Sequence, residues 1–187
     1  MRIIFFLFKY LMKNLSVFCS GKNNLQKKYV DVSNDLISLI DEKKYQIVYG
    51  GGTCGLMGNV RNTFLQKGGT ILTSNLIRFQ EQENPDNYIF DKISDRQQKL
   101  MELGDIFLVL PGGIGTIFEA LQVLTSNYIG EFSKEIILLN YNNLYDNLIR
   151  QMNVLQEEGF LKYSLGDLRM KVFDDYKKLA YYLNELE

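Results

Sequence analysis

Two short stretches gather the residues that could hold a ligand. YGGGTCGLMG, Tyr49 to Gly58, contains five of the chain's 15 glycines, and LPGGIGT, Leu110 to Thr116, contains three more. Each sits where an apolar run gives way to an amphipathic one, so each reads as a loop between a strand and a helix. At such a junction glycine lets a ligand approach the backbone, and the first N–H groups and the dipole of the helix favour an anion, most often phosphate. Two loops of this kind suggest one ligand with a phosphate and an attached group. Neither loop has the G-x-x-x-x-G-K-[ST] pattern of an ATP or GTP phosphate loop. Gly50, Gly52 and Gly55 satisfy G-x-G-x-x-G, but the acidic ribose partner expected about 20 residues onward is absent. Thr73, Ser74, Asn75 and Leu76 stand there instead, which disfavours a dinucleotide and leaves a mononucleotide.

The second loop runs into T-x-x-E, with Thr116 and Glu119 at the start of a helix. One reading is a capping box, in which each side chain satisfies an orphan N–H of the first turn. The other is that the Thr116 hydroxyl meets the phosphate and Glu119 faces the sugar. Both can hold at one helix start.

Composition narrows the chemistry. There is no histidine among the 187 residues, which excludes Ser-His-Asp and Cys-His machinery, His-ligated zinc and an imidazole base. Acid or base work near neutral pH falls to a carboxylate, Lys, Tyr, Cys or a bound metal. With 21 Lys plus Arg against 22 Asp plus Glu, no basic surplus draws the chain to nucleic acid or an anionic membrane, and neither partner is expected. Cys19 and Cys54 have no paired spacing, so neither a zinc motif nor a disulfide is indicated. A reducing compartment, the cytoplasm, fits.

The elements that would position these loops follow from hydropathy. LSVFC, QIVYG, TILTSN, a short YIFDKI, IFLVL, EIILLN and MKVF read as strands. Helices are expected over Leu25 to Lys43, Leu56 to Lys67, Arg96 to Leu103, Gly115 to Tyr128 and Leu144 to Glu157, with a last one capped by Asp174 and ending near Leu186. Apolar strands alternating with helices require a parallel sheet covered on both faces. The expected fold is therefore α/β, a three-layer doubly wound parallel sheet of Rossmann-like type. Arg2 to Leu11 is apolar behind one positive charge, too short to span a bilayer and without a signal-peptidase site. Residues 1–14 are read as an N-terminal extension, with Met12 an alternative start, and residues 15–187 as a single domain.

PGGIGTIFE, Pro111 to Glu119, fits PGGxGTxxE, and GGGTCGLMG fits GGGxxGLMG, two motifs of the LONELY GUY (LOG) proteins. The order VFCSG, YGGGTCGLMG, an Arg-bearing helix, PGGIGTIFEALQVLT, IILLN and EEGF resembles that family from about Leu15 to about Phe160. These are cytokinin riboside 5'-monophosphate phosphoribohydrolases, a family that also carries a lysine decarboxylase label. The resemblance implies a homodimer that cuts the N-glycosidic bond of an adenosine-type 5'-monophosphate to free base and ribose 5-phosphate, activating cytokinins, without metal or other cofactor. It gives Glu119 and Arg96 the catalytic positions, the latter matching the Arg of an RKxxM motif. Gly112, Gly113, Gly115 and Thr116 would cradle the phosphate, with Gly51, Gly52, Met57 and Ser20 about the nucleotide. The departures are Gln97 for the adjacent Lys, Leu100 for the motif's Met, Phe118 for a Glu, and Ser126 for a frequent Trp. They keep open an alternative, a non-catalytic nucleotide sensor or carrier of the same fold. A decarboxylase would hold pyridoxal phosphate through a Lys, and neither glycine loop has one.

Overall fold

The computed structural model describes residues 12–80 and 87–186. Most of the expected N-terminal extension, residues 1–11, lies outside them, as do Pro85 and Asp86. All seven expected strands form: β1 (Lys13–Phe18), β2 (Tyr45–Tyr49), β3 (Thr70–Leu76), β4 (Tyr88–Phe90), β5 (Ile106–Val109), β6 (Glu135–Leu139) and β7 (Met170–Phe173). They pair in parallel in the order β4-β3-β2-β1-β5-β6-β7. The chain thus starts at the middle of the sheet, winds outward through β4, then returns to the far side of β1. The point of reversal lies between β1 and β5, where open sheets of this kind part at their carboxyl edge to admit ligands.

The central strands are mostly apolar because alternate residues serve different cores. On one face Leu15, Val17, Ile47, Tyr49, Leu108 and Ile137 pack under α1 (Lys27–Leu39), α2 (Gly55–Gln66) and α6 (Tyr176–Glu185). On the other, Phe18, Val48, Phe107, Val109 and Leu138 pack under α3 (Ile93–Leu103), α4 (Ile114–Ile129) and α5 (Asp146–Glu157). These are the three layers expected.

Helix limits differ from expectation at several places: α1 starts at Lys27 rather than Leu25 and stops at Leu39 rather than Lys43. α3 begins at Ile93, three residues early, so Arg96 lies inside its first turns with its N–H bonded to Lys92 O at 3.2 Å. α5 begins at Asp146 because Asn142 and Asn143 hold φ of 54° and 57° and break the helix before it. The cap of α6 is Asp175, not Asp174: its carboxylate accepts from the N–H groups of Lys177 and Lys178 at 2.7 and 3.1 Å, the geometry an N-cap requires. At the far end of α3, Lys134 Nζ donates to Met101 O and Gly104 O at 2.8 and 2.7 Å. A cation there satisfies orphan carbonyls and complements the helix dipole, fixing the helix that carries Arg96.

Candidate active site

At the carboxyl edge between β1 and β5 a cleft of about 740 Å³ opens, with Ser20, Gly52, Met57, Arg96, Gly113, Gly115, Thr116 and Glu119 on its wall. Eight of the ten expected residues therefore meet in one space; Gly51 and Gly112 do not line it. Gly51 makes the turn after β2 at φ 80°, a left-handed conformation that glycine adopts without penalty. Gly112 makes room: a Cβ there would stand 2.1 Å from Thr116 Oγ1.

The chemistry centres on a buried ion pair. Arg96 Nη1 donates to Glu119 Oε1 at 2.5 Å, and Arg96 and Glu119 are only 9% and 5% exposed. A second bond from Nη1 goes to Gln97 Oε1 at 2.8 Å, and Arg96 Nε donates to Ser74 O at 3.0 Å. Ser74 Oγ in turn donates to Arg96 O at 3.2 Å, tying α3 to β3. A guanidinium has five N–H donors. Three are spent, and the two on Nη2 have no acceptor among the described residues. Nη2 lies where a Gly50 side chain would be, 2.0 Å from a Cβ built there. The glycine after β2 is thus a seat for the arginine.

Burial pushes the Glu119 carboxyl above the ordinary carboxylate range; the Arg96 charge and the hydrogen bonds to Arg96 and Gln97 pull it back only in part. Beneath the pair lies Cys19, whose thiol is driven up by burial and by the Glu119 charge and stays neutral.

The two glycine loops turn out to differ. The first N–H groups of α2 are already used: Gly55 N donates to Asn23 Oδ1 at 3.1 Å, and Leu56 N and Met57 N to Ser20 O at 2.9 and 3.2 Å. The anion-facing role expected of the first loop is not available there. α4 is open. Its N-cap is Gly113, with no side-chain cap, and the positions a Cβ would take at Gly113 and Gly115 meet nothing within 4 Å. The capping box accordingly does not form: Thr116 is the third residue of the helix, and its hydroxyl bonds to no described residue, while Glu119 turns to Arg96. Tyr145 Oη donates to Leu110 O at 2.8 Å and stands 3.4 Å from Gly112 O, holding the start of the second glycine loop.

Other lining residues had no signal in the motifs. Leu76, Phe79 and Ile93 join Met57 as apolar wall, and Asn75, Arg78 and Lys22 add polar groups. Asn75 could have been found: it is the last residue but one of β3, at the sheet's carboxyl edge, among the four positions where an acidic ribose partner was sought. Phe118, by contrast, faces a groove between α3 and α4 away from the cleft, 44% exposed, so its exchange for Glu does not touch the site. Among the described residues no group of His, Cys, Asp and Glu could hold a metal ion, and no helix is long and apolar enough to cross a membrane.

Comparison with known proteins agrees with this geometry. A family described as "possible lysine decarboxylase" matches residues 57–183, and the cytokinin riboside 5'-monophosphate phosphoribohydrolase of Rhodococcoides fascians is 32% identical over 155 residues, 80% of this chain and 78% of that protein. The chain belongs to the LONELY GUY family. A probable cytokinin riboside 5'-monophosphate phosphoribohydrolase of Arabidopsis thaliana is likewise 32% identical over 154 residues, 80% of this chain and 77% of the relative. Among solved structures, the molybdenum cofactor carrier protein of Chlamydomonas reinhardtii superposes with a TM-score of 0.69 at 16% identity, over 93% of this chain and 97% of that one. A molybdenum cofactor binding protein of Rippkaea orientalis reaches 0.66 at 15% identity, over 92% and 95%. At such identity the likeness concerns the fold, shared by members of this family and by carriers alike.

Proposed function

We propose that the protein hydrolyses the N-glycosidic bond of adenosine-type 5'-monophosphates, including N6-modified ones, to free base and ribose 5-phosphate. The observation that carries this reading is the buried Arg96–Glu119 pair beside an uncapped helix N-terminus. The phosphate is taken by the N–H groups that open α4 at Gly113, Gly115 and Thr116, with the Thr116 hydroxyl as a further donor. Arg96 Nη2 offers its two free donors to ribose or phosphate oxygens. Cleaving the C–N bond leaves positive charge on the ribose, which the Glu119 carboxylate stabilises while accepting a proton from the attacking water. The water oxygen bonds to the anomeric carbon, the bonding pair leaves with the base, the base takes a proton from solvent, and Glu119 returns to solvent the proton it accepted. Met57, Leu76, Phe79 and Ile93 supply an apolar wall for the base and an N6 substituent.

Incubation with AMP and with isopentenyl-AMP, followed by chromatography, is expected to release free base with ribose 5-phosphate in equal amount. No base from either nucleotide at high protein concentration defeats the reading. Intact nucleotide retained and slowly released would instead favour the sensor or carrier alternative, which the retained pair argues against. Two unpaired cysteines suit the cytoplasm.

The working unit in this proposal is a homodimer. Ile114, Phe118 and Ile129 form one apolar stripe along α4, exposed by 88%, 44% and 64%, more than a lone surface helix commonly leaves to water. Light scattering is expected to give twice the chain mass, and Ile129→Glu to shift the protein toward monomer. A monomeric mass for the unmodified protein at micromolar concentration would refute the dimer.

A further inference from the structure

Gln97 is 2% exposed and contributes nothing to the cleft wall, yet among the described residues it is the one neutral side chain bonded to the catalytic guanidinium. Its Oε1 takes the second proton of the nitrogen whose first proton goes to Glu119, at 2.8 Å against 2.5 Å. With Nε anchored on Ser74 O, these acceptors fix both the plane and the rotation of the guanidinium. Only in that orientation do both Nη2 donors remain free over Gly50.

We propose that Gln97 is a positioning residue for the hydrolysis, bracing Arg96 so that one edge of its guanidinium is held on Glu119 and the other is presented to the substrate. This rests on the hydrolase reading above. Burying an amide here costs its desolvation, which only satisfied hydrogen bonds offset, so an apolar side chain would serve equally if packing were all that mattered. A Lys at this position would set a second cation beside Arg96, whereas Gln accepts a bond and adds no charge. Gln97 also lowers the Glu119 carboxyl by hydrogen bonding, alongside Arg96 from α3; Cys19 under the pair is neutral, and the other ionisable groups on the cleft wall are Lys22, Cys54 and Arg78.

The test is Gln97→Leu, which keeps the bulk and removes the acceptor, beside Gln97→Glu, which restores the acceptor and adds a charge. For Gln97→Leu, kcat with AMP is expected to fall about tenfold to a hundredfold while KM changes less than about threefold. The acid limb of kcat against pH moves to higher pH, because Arg96, no longer held by Gln97, stabilises the ionised Glu119 less well. Gln97→Glu moves that limb further still, by like charge, but at a pH above the limb its kcat exceeds that of Gln97→Leu. Unchanged kcat and an unmoved acid limb in Gln97→Leu overturn the assignment. Carbon-13 titration of the Glu119 carboxyl without nucleotide gives a readout independent of turnover, with Glu119→Gln to identify the signal. A higher midpoint in Gln97→Leu supports the brace and an unmoved one refutes it, even if the unmodified protein cleaves nothing. Should Gln97→Leu fail to fold, the same titration of Gln97→Met, which also lacks the acceptor, decides: an unmoved midpoint there refutes the brace.

Discussion

Replacing Glu119 by Gln is expected to lower kcat for AMP about a thousandfold while leaving the nucleotide bound within about tenfold of normal. Gln keeps the shape, and its amide oxygen can still accept from Arg96 Nη1, so the guanidinium and the open end of α4 stay in place for the phosphate. What is lost is the negative charge opposite the ribose and the acceptor for the water's proton. Single-turnover base release and calorimetric binding of AMP separate the two; loss of binding equal to the loss of rate would mean that Glu119 serves the fold rather than the reaction. The pH dependence has a definite sign. Burial holds the Glu119 carboxyl above the ordinary range, so as pH falls it takes up its proton early, and kcat of the unmodified enzyme drops at a pH where a surface carboxylate is still ionised. The same shift acts on folding: the native state binds this proton more tightly than the unfolded chain, so the contribution is fully present below the ordinary carboxylate value and lost as pH rises through the raised one. Glu119→Gln is expected to remove that part of the stability slope, measurable by denaturation between mildly acid and neutral pH.

Local pattern was enough for much of this molecule. Most strands carry apolar residues on both faces, and such a run can be read without knowing any partner, which is why the central strands and the layering were legible. Helix starts were not, where they depend on single side chains: whether Asp174 or Asp175 caps α6 is decided by which carboxylate reaches Lys177 N and Lys178 N. The site was legible in its members and not in its wiring. Thr116 and Glu119 have the spacing of a capping box, but the donor that Glu119 meets comes from 23 residues upstream on another helix. The first glycine loop likewise looks like an anion site by composition. Only the β1–α1 loop, folded back so that Ser20 O and Asn23 Oδ1 occupy the α2 N-terminus, reveals that it is closed.

The glycines themselves separate into roles that substitution can tell apart. Gly50→Ala would set a Cβ 2.0 Å from Arg96 Nη2, the far end of a flexible side chain, so the backbone need not move. The guanidinium must, and the three bonds that hold it cannot all survive the shift. The fold is expected to persist, with a melting temperature within a few degrees of normal, while kcat/KM falls about a hundredfold through misplacement of Arg96. Gly58→Ala meets backbone instead, Thr53 O at 2.0 Å, and should destabilise the protein by about 1–3 kcal/mol through overpacking. Gly113→Ala meets nothing, so its methyl enters the open space before α4. There the expected effect is on KM, and on inhibition by inorganic phosphate, with little change in kcat. Thermal melts and steady-state kinetics on the three variants distinguish these outcomes. If Gly50→Ala retains normal turnover, the glycine after β2 is not the seat of the arginine, and the donors on Nη2 are not what the substrate meets.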